Sequence, residues 1–154
     1  MDIRRRAVVV VLVLGGLLVA APAAHAQAVS TASPSVSGTV AAAGAEAVVC
    51  KGQASVTTTA VIDPAMPPPG VLVTIDVSGL SCVGASSGAR YTNSGVARLT
   101  RLLVANDVIG TTFAVYKDAP GGFLAARTAL LNLSLSFNTT TGALTSASAT
   151  LGNL

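Results

Sequence analysis

The chain is poor in the residues that do chemistry. It has no tryptophan, one histidine, His25, two cysteines, and five aromatic side chains: Tyr91, Phe113, Tyr116, Phe123 and Phe137. Charged residues make up 10% of the whole. A serine hydroxyl needs a nearby base to become a nucleophile, so a chain whose single imidazole lies near its start is a poor candidate for triad chemistry. Sugar-cleaving sites pair two carboxylates across a cleft, normally beside aromatic surfaces, and those surfaces are scarce here. Lys51, Arg90, Arg98, Arg101, Lys117 and Arg127 are scattered rather than clustered. With no basic patch to displace counterions from a phosphate backbone, nucleic acid is not an expected partner.

What the sequence does contain begins with an export signature. Asp2 and three arginines (Arg4, Arg5, Arg6) precede an uncharged run from Ala7 to Ala20, and Ala24-His25-Ala26 follows. This order of basic, apolar and small-residue regions predicts a secretory signal peptide over 1–26, cleaved between Ala26 and Gln27. The expected destination is the periplasm, the cell envelope or the outside of the cell, and no later segment predicts a transmembrane helix. Cleavage would remove His25 and leave 128 residues, with six basic and five acidic side chains. That length suits one domain with a single core.

Cys50 and Cys82 then have only each other, and an oxidising compartment favours a disulfide between them, closing a loop of about 32 residues. A zinc site needs about four ligands, which two cysteines without histidine do not supply, so no metal or other cofactor is expected. The calcium-loop spacing of acidic residues is also missing, although Asn106, Asp107 and Asp118 fall in turn-like segments.

Residues 27–34 have turn-forming composition without a period and predict a flexible leader to a single β-domain over 35–154. Beyond them hydrophobicity alternates with a period of two: Val36, Gly38, Val40; then Val56, Thr58, Ala60, Ile62; then Val71, Val73, Ile75, Val77; and last Ala129, Leu131, Leu133, Leu135, Phe137. Such runs are half-buried strands. Punctuation falls between them, at 63–70 with its prolines, at 84–95, at Asn106-Asp107, at 118–122 and at 138–142, the last predicting a hairpin that returns Ala143–Leu151 beside Ala129–Phe137. The expected fold class is all-β, an antiparallel β-sandwich or small barrel of about seven to nine short strands. A short helix near 123–130 is an alternative for the segment rich in helix formers.

Gly84-Ala85-Ser86-Ser87-Gly88 spells the Gly-x-Ser-x-Gly of a nucleophile elbow. An elbow needs a strand before it, a helix after it and a base within reach. The preceding strand is expected to end near Ser78, no helical period follows Gly88, and no Ser-x-x-Lys pair offers a substitute base, so the segment reads as a loop. Of the acids Glu46, Asp63, Asp76, Asp107 and Asp118, three sit in turns where aspartate is favoured locally. Asn132-Leu133-Ser134 and Asn138-Thr139-Thr140 are N-glycosylation sequons, relevant only on a eukaryotic secretory route.

Export, one disulfide in the first half and Ala/Val/Thr/Gly-rich strands are broadly similar to chaperone–usher pilin subunits. The ending Leu151-Gly152-Asn153-Leu154 lacks their penultimate tyrosine, and no family follows from composition alone. The expected function is therefore a non-enzymatic exported domain that binds or assembles, either with another envelope or secreted protein or with itself through sheet edges. The alternatives are a carrier of small apolar ligands with a barrel cavity, and a serine hydrolase acting through Gly84–Gly88.

Overall fold

The structure, a computed structural model, describes residues 27–63 and 67–153. The predicted signal peptide and Ala26 lie outside the described residues, as does part of the proline-rich 63–70 loop. The described residues form eleven antiparallel strands: β1 (Val29–Ala32), β2 (Ser35–Ala42), β3 (Ala45–Gln53), β4 (Ser55–Val61), β5 (Gly70–Asp76), β6 (Leu80–Gly84), β7 (Arg90–Ser94), β8 (Val96–Leu102), β9 (Asn106–Lys117), β10 (Arg127–Phe137) and β11 (Leu144–Asn153). One sheet has the order β1-β4-β5-β8 and the other β11-β10-β9-β7-β6-β3-β2. The larger sheet curls until its two ends approach, so the fold combines a sandwich with a nearly closed barrel.

Alternation along each strand decides which face is inside. In β10, Ala129, Leu131, Leu133, Leu135 and Phe137 are buried, while Leu130, Asn132 and Ser136 are half-buried and Ser134 is exposed. They meet Val36, Val40 and Val48 from the far part of the same sheet, and Val56, Val71, Val73 and Ile75 from the smaller sheet, in one core. Full burial of each leucine contributes roughly 1.5–3 kcal/mol. Where the larger sheet closes on itself, Gly38 of β2 faces Leu151 of β11 so closely that a Cβ on Gly38 would lie 2.8 Å from the Leu151 Cβ. Glycine is required there by close approach, not by dihedral angle.

Several sequence expectations need correction. The supposed leader 27–34 contains β1, whose four residues pair with Val56–Thr59 of β4; four residues are too few to display a period, and the strand is held by the edge it finds. Eleven strands replace seven to nine because the loop-like 84–95 segment holds β7 and the end of β6. The short helix weighed as an alternative near 123–130 reduces to a single 3-10 turn over Gly122–Ala125, and β10 begins at Arg127. Asn106 and Asp107 open β9 rather than forming a turn. The final hairpin is as predicted, with Leu133 opposite Ala149 and Leu135 opposite Ala147.

One core position works against the rest. Thr58 of β4 is fully buried, and its hydroxyl has no hydrogen-bond partner among the described residues. An unmade buried hydrogen bond costs about 1–3 kcal/mol, and valine has the same shape without the hydroxyl. Thr58→Val is therefore expected to raise stability by about 1 kcal/mol, read as a higher urea midpoint with an unchanged slope.

Candidate functional site

The elbow spelling occupies a hairpin. β6 runs directly into Gly84, the chain turns through Ala85–Gly88, and β7 starts at Arg90, with Gly84 N–H donating to Ala89 O and Gly88 N–H to Gly84 O. The strand before the loop is thus β6 and not one ending near Ser78, and the element after it is another strand. Gly88 adopts φ +65°, the left-handed region such a turn demands and which glycine takes without steric cost.

Glu46 holds the loop. It lies near the start of β3 on the face that carries Val48 and Cys50, and the register of Val48 with Gly84 and Cys50 with Cys82 brings its side chain to the end of the hairpin. Ser86 N–H and Oγ–H both donate to Glu46 Oε1 at 2.8 Å, Ser87 N–H donates to the same oxygen, and Ser87 Oγ–H donates to Oε2 at 2.8 Å. Gly84 makes room, since a Cβ there would sit 2.6 Å from the carboxylate. The Ser87 backbone N–H, followed by the two serine hydroxyls, pulls the Glu46 carboxyl from its ordinary 4.5 down to about 2. A carboxylate so well satisfied is a weaker base than a free one, and both hydroxyl protons already point into it. The chemistry this geometry performs is clamping of the β6–β7 hairpin.

Around the clamp, other contacts tie the same corner. Cys50 and Cys82 are opposed in register, buried, with Cα atoms 4.1 Å apart and sulfurs at disulfide distance. Tyr91 is the next residue across in β7. The guanidinium of Arg127, at the start of β10, sits 5.3 Å from the Tyr91 ring centroid and donates to the backbone carbonyl of Glu46. A cation over an aromatic face contributes about 0.5–1 kcal/mol where exposed and more where desolvated. The Glu46–Arg127–Tyr91 arrangement is not legible in the sequence. Its one visible signal is an acid two residues before Val48, on the inward side of an alternating strand.

The remaining acids are dispersed. Asp76 accepts from Ser78 N–H, which lowers its carboxyl. Asp107 is lowered chiefly by its hydrogen bonds from Arg101, whose Nε and Nη2 donate to its two oxygens at 2.8 Å. Asp63 lines a surface groove with Val61, Pro68, Gly70, Leu72 and Thr100, and Asp118 lies across from Arg90, its N–H donating to Arg90 O. Among the described residues no three His, Cys, Asp or Glu side chains gather as metal ligands, and no helix is long and apolar enough to cross a membrane. Comparison with family models, with characterised proteins and with solved structures finds no match.

The clamp has a pH signature. Because the folded-state value of Glu46 is depressed, its contribution to stability is complete above about 4.5 and is lost as pH falls through about 2. Glu46→Gln replaces one acceptor oxygen by a donor amide facing serine donors. The variant is expected to unfold at lower urea than the wild type at pH 7, with the gap closing as pH falls from 4.5 towards 2. Parallel pH profiles for the two proteins would show that Glu46 does not carry the clamp.

Proposed function

We propose that the chain is an exported, non-enzymatic β-domain that acts by binding or assembling with protein at the cell envelope or outside the cell. The observation that carries this reading is where polar and apolar groups are spent. The serine hydroxyls of the elbow spelling are committed to a weakly basic carboxylate, whereas large apolar side chains stand exposed on the outer face of the smaller sheet: Val29, Val61, Leu72, Val96 and Leu102. Exposed apolar side chains gathered on one face mark interaction sites. A cysteine pair at disulfide distance is compatible with an oxidising destination, and the export signature of residues 1–26 supports the same route.

A carrier of apolar ligands is the weaker reading. Leu131, Leu133, Leu135 and Ile75 fill the interior with their own side chains, while the apolar groove beside Gly70 opens on the outside.

The test is native mass spectrometry, without reductant, of the protein recovered from its own host's envelope and medium. The expected result is a chain starting at Gln27, two hydrogens lighter than the reduced mass, held in a complex with copies of itself or with another protein. A monomer carrying a small apolar molecule would transfer the function to the carrier reading. Labelling of Ser86 by a fluorophosphonate would make the protein a hydrolase.

A further inference from the structure

Resting on the assembly reading, we propose that the docking edge is β8 and that its occupant is a second copy of this chain, paired antiparallel about a twofold axis at Leu99. Among the described residues β8 ends the smaller sheet, with β5 as its only hydrogen-bonded neighbour. The register pairs Val71 with Arg101 and Val73 with Leu99, and Val77 N–H donates to Gly95 O just before it while Leu103 N–H donates to Pro69 O just after it. In an antiparallel ladder, hydrogen-bonded positions alternate. Gly95, Ala97, Leu99, Arg101 and Leu103 therefore face β5 with their backbone groups. Val96, Arg98, Thr100 and Leu102 turn theirs to the open edge.

Those four residues are self-complementary. A twofold at Leu99 sets Val96 against Leu102 of the second copy and Arg98 against Thr100, so that all four exchange N–H and C=O bonds, about eight in total. Val96 and Leu102, 58% and 60% exposed, then cover each other. Moving the axis to Arg98 would oppose two arginines. Charge also fits, because Thr100 lines the groove of about 390 Å³ that contains Gly70, Leu72 and Asp63. Arg98 of one copy, opposite the small Thr100 of the other, lays its alkyl stem over that groove with its guanidinium towards Asp63. The twofold repeats this contact, and the two arginines pass in opposite directions. A seven-residue edge contact is smaller than the standard interface of about 1,600 Å², so the dimer forms with concentration and dissociates on dilution.

Analytical ultracentrifugation of the protein purified from its host tests this. Wild type is expected to pass from monomer to dimer with rising concentration. Thr100→Pro removes an N–H that β5 does not use, at an edge position where proline is tolerated; it should weaken the dimer roughly tenfold or more with an unchanged far-UV spectrum. Arg98→Asp should weaken it too, and the double variant R98D/D63R should restore it. A wild type that stays monomeric to ~1 mM, a dimer indifferent to Thr100→Pro, or growth beyond two copies each overturns the proposal. A monomer recovered only in complex with another protein overturns it while sparing the assembly reading; a monomer with no protein partner from any source removes both.

Discussion

A β-strand satisfies its backbone only through its neighbours, and the architecture follows from how this chain disposes of its strand edges. Two sheets have four edges. Those of the larger sheet, β2 and β11, are brought together by curling, and Gly38 allows the Leu151 side chain to lie against the β2 backbone. β1, four residues long, caps β4 and is joined to the other sheet by the Leu144 N–H donating to Ser30 Oγ. Among the described residues β8 alone presents a seven-residue edge with no second strand. Its arginines deter indiscriminate pairing, and its alternation of free backbone groups defines what pairing remains.

Covalent and polar fastenings are concentrated where the sheet is thinnest. β9, β10 and β11 are ten to twelve residues long: β10 buries a continuous apolar row from Ala129 to Phe137, β9 adds Ile109, Phe113 and Val115, and β11 lays the half-buried Leu144, Ala147, Ala149 and Leu151 against the same core, so ordinary packing holds them. β6 and β7 have five residues each and pair at only two positions, Cys82 with Tyr91 and Val83 with Arg90. There the cysteine pair binds β3 to β6, Glu46 clamps the hairpin, Arg127 reaches from β10 to Tyr91 and the Glu46 carbonyl, and Asn93 Nδ2 donates to Leu80 O across the gap where the two strands splay. Loop geometry that resembles a catalytic elbow in spelling is one of these fastenings.

The long strands were legible in the sequence because period-two alternation needs six or more residues to declare itself, and β4, β5 and β10 supply them. β1 (Val-Ser-Thr-Ala) and β7 (Arg-Tyr-Thr-Asn-Ser) were not, since runs of four or five residues with so much Ser, Thr and Asn look the same in a strand as in a loop and become strands only when a neighbour's edge is present. The cysteine pairing followed from arithmetic. Glu46 was visible as an acid but not as a clamp, because its partners lie 40 and 41 residues away and meet it only through the β3–β6 register. The open edge of β8 is a property of topology, and strand order is not written in any local stretch.

Amide hydrogen exchange along β8, resolved residue by residue at low and high protein concentration, tests the edge account most directly. Ala97, Leu99 and Arg101, whose N–H groups bond β5, should be protected at every concentration. Arg98, Thr100 and Leu102 should exchange freely when dilute and become protected together as concentration rises. Protection of both sets in the dilute monomer, or free exchange of Arg98, Thr100 and Leu102 at every concentration, would contradict the claim that β8 is the open edge through which this chain assembles.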